Sequence, residues 1–189
     1  MKKIILCLAL VLGGFALELD EIQSTMQEKI DKSLKILQNA KADKKAAAAE
    51  IFTLFDGIFD YELMAKLSLS EHYEKLTDEQ RREFAQAFEA SLKKSFTDKL
   101  ELYKDQILKV KSAEQKNEKR YFLTSSMVVD GEEKFIVFKF YNEADNWLIY
   151  DVDILGISII QTYRSQFGDI LNNGDFKTLL EKLKTITIE

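Results

Sequence analysis

The stretch between Trp147 and Leu171 limits most strictly how this chain can fold. It begins with residues that alternate between two strand faces, one apolar and one mixed. Gly156 then interrupts the alternation where a strand could turn sharply, and from Ile159 onward apolar residues recur at helical spacing. The pattern predicts a strand, a tight corner and an amphipathic helix. The predicted apolar strand face carries Leu148, Tyr150, Val152 and Ile154, and the mixed face carries Trp147, Ile149, Asp151 and Asp153.

Three earlier segments also show the period of two that is typical of strands. They run from Ile107 to Ala113, from Arg120 to Val129 and from Phe135 to Tyr141. After the helix near Ile159 the chain offers only one more short helix, Asp175 to Lys184, so a parallel unit lacks its second strand. We therefore predict an α+β fold in which helices pack on a twisted, four-stranded antiparallel sheet in meander order.

Apolar residues at helical spacing predict three helices in the first half of the chain. The first bears a stripe from Ile22 to Leu37, and the second bears a stripe from Ile51 to Leu63. The third begins at Thr77, where Gln80 completes a capping-box pattern, and its largely aromatic stripe extends to Tyr103. Stripes of this kind usually belong to a core.

The N-terminal segment has the layout of a secretory signal peptide, with two lysines, an apolar run and then the small residues Gly14 and Ala16. A membrane-spanning anchor is the alternative, but it needs about 20 apolar residues and this run is shorter. We expect cleavage after Ala16, which leaves residues 17–189 as a single exported domain without cysteine. Loss of the two lysines takes the formal net charge from −5 to −7. This balance argues against nucleic acid as a partner and against passive adhesion to an anionic membrane.

Few residues suit catalysis or metal binding. After Ala16 the chain has one histidine, His72, and no cysteine, so metal sites and nucleophilic sites lack their usual residues. Asp151 and Asp153 share one strand face at the spacing of an acid and base pair. A buried aspartate is more often neutralised by an arginine, and Arg164 lies one helical turn into the next element. We favour a structural pair of Asp151 with Arg164 over catalysis, and we predict no catalytic residue and no metal site.

Several motifs occur in the order that is found in one known family. They are Trp147, Tyr150-Asp151-Val152, Gly156-Ile157-Ser158 and Tyr163-Arg164-Ser165-Gln166-Phe167, preceded upstream by Phe59-Asp60-Tyr61 and Leu76-Thr77-Asp78-Glu79-Gln80-Arg81. With these motifs, the segment from Phe52 to Leu183 resembles the MlaC (toluene-tolerance) family of periplasmic phospholipid-binding proteins. The chain departs from the family pattern at Leu155, where the family often has glutamate.

The resemblance implies a cone-like α+β layout, similar to that of nuclear transport factors, with an apolar cavity that holds the acyl tails of a phospholipid. It implies a carrier that maintains outer-membrane lipid asymmetry. Its implied partners are an outer-membrane lipoprotein complex and an inner-membrane ABC transporter with its membrane-anchored lipid-binding subunit. We expect a monomer that is not an enzyme and needs no cofactor. The residues expected to line the cavity are Phe88, Leu92, Phe96, Phe138, Phe140, Val152, Ile154, Ile157, Ile160 and Tyr163.

The same apolar stripes fit two other functions, because a filled core and an open cavity produce the same stripes in a sequence. An enzyme of the ketosteroid-isomerase type would use Asp151 or Asp153 as a general base in an apolar pocket. An interaction or chaperone module would instead present an exposed apolar groove. Phospholipid that stays with the purified protein would distinguish the carrier from the enzyme.

Overall fold

The computed structural model describes residues 16–40, 43–100 and 103–185, so the predicted signal peptide lies, apart from Ala16, outside the described residues. None of the helices in these three segments combines the length and apolar character that crossing a membrane requires. The helices are α1 (Ile22–Asn39), α2 (Lys44–Phe55), α3 (Tyr61–Leu69), α4 (Asp78–Leu100), α5 (Ile159–Asn173) and α6 (Phe176–Leu183). The strands are β1 (Lys109–Asn117), β2 (Arg120–Val129), β3 (Glu132–Glu143), β4 (Asn146–Ile154) and β5 (Ile157–Ser158).

The predicted α+β class is confirmed, and the four predicted strands are present in antiparallel meander order. A fifth strand, β5, is absent from the prediction and pairs with the end of β4 through Asp153 and Ser158. Leu155 and Gly156, with φ angles of 54° and 84°, form the two-residue turn between β4 and β5. This turn is the predicted tight corner, and it leads directly into α5.

A bulge in β4 changes which of its residues face the helices. On β3, Lys139 pairs with Asp151. The next β3 residue, Phe140, pairs with Ile149, so Tyr150 is an extra residue on β4. The strict alternation predicted for this strand is therefore wrong, because the extra residue exchanges the two faces. The face toward the core carries Trp147, Ile149, Val152 and Ile154, and the opposite face carries Leu148, Asp151 and Asp153.

The second predicted helix is interrupted, and this also corrects the prediction. Helix α2 ends at Phe55, and a 3₁₀ turn follows at Asp56–Ile58. The backbone N–H of Asp60 donates to the carbonyl of Ile149 at 2.9 Å, and the Asp60 side chain caps α3 by accepting from the N–H of Leu63 at 2.9 Å. The apolar spacing continues across the break, which is why the sequence pattern predicts one helix.

The capping box predicted for the third helix is confirmed in α4. The Thr77 hydroxyl accepts from the N–H of Gln80 at 3.2 Å, and the Gln80 side chain accepts from the N–H of Thr77 at 2.9 Å. From this cap α4 runs for 23 residues to Leu100. That length lets α4 contribute to both apolar clusters of the described chain.

The larger cluster, the main core, packs the start of α1 and helices α3 to α6 on the sheet. Its aromatic rings are in close contact, with centroid distances of 5.0 Å between Phe88 and Tyr163 and 5.2 Å between Tyr163 and Phe167. A smaller cluster joins α1 to α2 through Leu37 and Ile51. The described helices therefore belong to two packed groups, with α2 mainly in the smaller one.

The first described residues lie against β4. The Leu17 side chain is buried in the main core. Its N–H donates to the Asn146 side chain at 3.0 Å, and its carbonyl accepts from the N–H of Trp147 at 3.1 Å. A chain that begins at Leu17 keeps the groups that make these contacts.

Candidate functional site

An apolar cavity of about 200 Å³ lies between the helices and the sheet. The sheet side of its wall consists of Ile136 and Phe138 from β3 and of Val152 and Ile154 from β4. These residues pair across the two strands, and the bulge at Tyr150 brings the β4 residues onto the core-facing side. The helix side of the wall includes Ile30, Ile51, Phe52, Phe55, Leu92 and Phe96.

The cavity lies where the two apolar clusters are not in full contact. Ile51 of the smaller cluster and Leu92 of the main core are both wall residues, and Phe55 packs on both clusters. Helix α2 is rich in alanine, and its Ala47 and Ala48 are buried. Since methyl groups fill little space, they bring α2 close to its neighbours without filling the region between α2 and the sheet.

Half of the residues that the sequence predicts for the cavity lie on its wall. These are Leu92 and Phe96 from α4, Phe138 from β3, and Val152 and Ile154 from β4. The fold brings α4 against the β3–β4 hairpin, which follows later in the chain. The role of these five residues in ligand binding stays a prediction.

The structure places the other five residues away from the wall. Phe88, Phe140, Ile160 and Tyr163 are at most 3% exposed and belong to the main core. Ile157 is 63% exposed on β5, outside the cavity. A stripe or strand face includes every apolar residue on one side of an element, and packing then decides which of them border a void.

Sequence analysis alone misses the aromatic wall residues between Phe52 and Tyr61. Phe52 and Phe55 belong to a predicted helical stripe without any assignment to the site, and Phe59 and Tyr61 belong to a motif of the family resemblance. The aromatic density from Phe52 to Tyr61 is the one available signal. It indicates buried surface, but it does not identify a cavity.

Lys93 on α4 places a charged group on the cavity wall. Its Nζ lies 2.8 Å from Asp56 Oδ1 and 2.7 Å from Glu89 Oε1. It also stands 5.4 Å and 5.0 Å from the ring centroids of Phe52 and Tyr61. Burial by itself lowers the pKa of Lys93, but the hydrogen bonds with Asp56 and Glu89 outweigh burial and raise the pKa. Lys93 is therefore charged, and two carboxylates balance its charge.

Tyr61 adds a neutral hydroxyl to the same group. Its hydroxyl donates to Asp56 Oδ1 at 2.8 Å. Burial, and then the hydrogen bond and charge of Asp56, raise the pKa of Tyr61 well above its usual range. Tyr61 therefore stays protonated and contributes a ring face and a bound hydroxyl to the wall.

Asp151 is buried on the side of β4 that points away from the cavity wall. Its Oδ2 lies 2.9 Å from Lys139 Nζ and accepts from the Ser158 hydroxyl at 2.7 Å. Its Oδ1 accepts from the backbone N–H groups of Val152 and Ile160 at 2.9 Å and 3.2 Å. The carboxylate thereby joins β3, β4 and the start of α5.

The predicted pair of Asp151 with Arg164 is wrong. The Arg164 guanidinium donates from Nε and Nη2 to the carbonyl of Leu67 at 3.0 Å and 2.8 Å, near the end of α3. Lys139 takes the place of Arg164 because it is directly opposite Asp151 in the β3–β4 register. Lys139 Nζ also lies 2.6 Å from Asp153 Oδ1, close enough for an ion pair but poorly aligned for a hydrogen bond.

The positions of these carboxylates weigh against acid–base chemistry in the cavity. Neither Asp151 nor Asp153 is a wall residue, and Lys139 engages both. A general base must reach the proton that it removes, so neither aspartate is placed to serve as the base that the isomerase-type alternative assigns to it. Within the three described segments, no group of three or more His, Cys, Asp or Glu side chains could hold a metal ion.

We expect Ile157→Glu to fold normally and to leave the cavity unchanged. The native side chain is 63% exposed, so the new carboxylate would stay hydrated and change the free energy of unfolding by at most about 0.5 kcal/mol. Thermal unfolding and the uptake of a fluorescent apolar dye would measure both effects. A folded variant with reduced dye uptake would contradict the placement of Ile157 outside the site.

Comparisons with known proteins give two findings. The family model described as MlaC protein matches residues 27–185. The solved structure of a phospholipid-binding protein from Ralstonia solanacearum, in complex with a phospholipid, is similar to this chain with a TM-score of 0.74. The similarity covers 86% of this chain and 94% of that chain at 17% sequence identity, so it shows a shared fold. A comparison with curated proteins finds no match.

Proposed function

This chain belongs to the MlaC family, and from that premise we propose that it is a phospholipid carrier whose cavity holds acyl tails while the head group stays outside. The observation that carries the proposal is the chemistry of the wall. The described wall residues are apolar apart from Ser33, Tyr61, Lys93, Ser95 and Lys99. The similar protein from Ralstonia solanacearum, solved with a phospholipid, supports the same class of ligand.

The energy of exposing acyl tails explains why a carrier needs such a wall. Two tails of about fifteen methylenes each, at ~0.8 kcal/mol per methylene, cost more than about 20 kcal/mol to expose to water. The carrier must therefore cover nearly all of both tails. A bilayer covers them equally well, so exchange between carrier and membrane is near balance and the net direction comes from partner proteins.

Helix α2 is the part of the cavity wall that we expect to move when lipid enters. A cavity of about 200 Å³ is smaller than the ~300 Å³ at the lower end of small-molecule pockets, so two tails fit only after a wall moves. Helix α2 packs mainly in the smaller cluster, and the turn at Asp56–Ile58 joins it to α3. Amide hydrogen exchange in α2 should be faster in the lipid-free protein than in the loaded one. Equal exchange in both states would exclude α2 as the moving wall.

We propose that the protein works in the periplasm after cleavage at Ala16. Leu17 then becomes the first residue, and its contacts with Asn146 and Trp147 hold the new N-terminus on β4. N-terminal sequencing of the exported protein should begin at Leu17. Recovery of an intact Met1 in a membrane fraction would contradict this location.

The proposed partners are an outer-membrane lipoprotein complex and an inner-membrane ABC transporter with its membrane-anchored lipid-binding subunit. The formal charge of −7 after cleavage weighs against unassisted adhesion to anionic membranes, which favours delivery through proteins. Pull-down of these two complexes with the purified chain as bait tests the assignment. Efficient lipid exchange with anionic vesicles in the absence of any partner would argue against the need for them.

The carrier function itself is tested by the lipid content of the purified protein. Native mass spectrometry and lipid extraction should find about one chemically intact phospholipid per chain. A lipid-free preparation should also take up phospholipid from vesicles of phosphatidylethanolamine and phosphatidylglycerol. A protein that neither retains nor takes up phospholipid would refute the carrier.

A further inference from the structure

Two wall residues lie at the surface, and they mark the mouth of the cavity. Phe96 and Lys99 are exposed and lie about one turn apart on α4. The other wall residues of the described chain are buried or half-buried. A molecule that extends from the cavity to this point meets an aromatic ring and then an ammonium group. The order suits a ligand with an apolar end inside and an anionic end at the surface.

The two lysines of the wall differ in their surroundings. Lys93 is bound to Asp56 and Glu89, so its immediate group carries a net negative charge. Lys99 forms no ion pair with any carboxylate of the described residues. An anion near the wall is therefore repelled by the carboxylates around Lys93 and attracted by Lys99.

We propose that the Lys99 ammonium binds the phosphate of the lipid whose tails occupy the cavity. The inference rests on the proposed carrier function and deepens it by assigning the head-group contact. Phe96 covers the first part of the lipid that leaves the cavity, and Lys99 meets the charged part that follows. Lys93 is unsuited to this role because its hydrogen bonds to Asp56 and Glu89 already satisfy its charge.

The tails make a weak cationic contact useful. A single exposed ammonium binds free phosphate poorly, because water and salt screen its charge. Tails held in the cavity keep the lipid phosphate next to Lys99, so the contact forms within the complex and not from dilute solution. An exposed pair of this kind changes affinity by about fivefold. Lys99 therefore adjusts the preference among lipids that share the same tails.

Lys99→Ala separates the head-group contact from tail binding. We would measure the affinity of the whole protein for phosphatidylglycerol and for diacylglycerol with the same fluorescent acyl chain, both supplied in dodecyl maltoside micelles. The variant should bind phosphatidylglycerol about fivefold more weakly than the wild type and diacylglycerol equally well. Lys94→Ala is the matched control, because Lys94 pairs with Asp98 at 2.7 Å on the same helix and is not a wall residue. It should match the wild type for both lipids.

Three results would overturn the assignment of Lys99. The first is unchanged phosphatidylglycerol binding by Lys99→Ala, and the second is an equal loss for diacylglycerol, which would indicate a structural role. The third is calorimetric binding of inorganic phosphate alone with similar affinity and the same dependence on Lys99, which would identify a free phosphate site. A wild-type protein that binds neither lipid would instead refute the carrier function.

Discussion

Asp151→Ala should lower the melting temperature of this protein by about 6–12 °C. The change removes a buried carboxylate that is bound to Lys139, to the Ser158 hydroxyl and to two backbone N–H groups. Loss of one member of a buried, hydrogen-bonded ion pair costs about 3 kcal/mol. Here Lys139 keeps Asp153, but the Ser158 hydroxyl and the two backbone N–H groups lose their acceptor. Each kcal/mol corresponds to about 2–4 °C in a chain of this length. Thermal unfolding followed by circular dichroism measures the shift.

Asp153→Ala is the control for this prediction. Asp153 is on the same strand and also pairs with Lys139, but its side chain is 21% exposed against 7% for Asp151. Asp153 makes one such contact, whereas Asp151 makes four. We therefore expect Asp153→Ala to lower the free energy of unfolding by about 1 kcal/mol. Equal shifts in the two variants would contradict the central position that we assign to Asp151.

The ion pair between Lys139 and Asp151 predicts that the stability of the fold depends on pH in the alkaline range. Burial by itself lowers the pKa of Lys139, but the adjacent Asp153 and Asp151 carboxylates outweigh burial and raise the pKa above the ordinary value of 10.5. A pKa that is higher in the folded state adds stability below pH 10.5, and this stability is lost as the pH rises through the folded value. The difference in melting temperature between the wild type and Lys139→Met should therefore shrink in strong alkali. A constant difference would show that the charge of Lys139 is not what stabilises the fold.

Ile159→Trp should abolish lipid loading and leave the fold intact. Ile159 is a wall residue at the start of α5, so the larger ring can extend into the cavity. If the ring excludes about four methylenes of an acyl tail, at ~0.8 kcal/mol each, the affinity for lipid falls more than about a hundredfold. Native mass spectrometry of the purified variant measures the bound lipid, and thermal unfolding measures its stability.

The next residue provides a matched control for the cavity. Ile160 is 3% exposed and belongs to the main core but not to the wall. Ile160→Trp should overpack the core, lower the stability by about 1–3 kcal/mol and retain lipid in the molecules that fold. Val152→Phe fills the cavity from the sheet side and should repeat the effect of Ile159→Trp. Full lipid loading in both wall variants would place the tails outside this cavity.

Local patterns in the sequence were sufficient for most of the secondary structure. Strands followed from alternation because successive side chains point to opposite faces of a strand. The capping box of α4 followed from Thr77 and Gln80 because both partners lie within one helical turn. Motifs from Phe59 to Phe167 were also sufficient to recognise the MlaC family. In each case the residues that form one pattern or one motif lie close together in the sequence.

Contacts between distant parts of the chain decided the details that the sequence left open. The break before α3 depends on a hydrogen bond from Asp60 to Ile149, and the choice of Lys139 as partner of Asp151 depends on the register of β3 against β4. The bulge at Tyr150 belongs to the same register. No local sequence pattern reveals these pairings, because each partner taken alone has the residue type of an ordinary strand or turn.

The sequence by itself determined which faces of the helices turn away from water. The tertiary structure alone decided which side of β4 faces the core and which of the buried faces border a cavity. Phe88 and Leu92 illustrate the difference, since both lie on the same stripe of α4, one turn apart. Phe88 is fully buried against Tyr163 and Phe167, whereas Leu92 borders the cavity. The hydrophobic effect places both residues inside, because it depends on the removal of apolar surface from water. Whether that surface then meets protein atoms or a space for ligand depends on how closely α2 approaches the sheet. The residue pattern of α4 gives no information about that distance.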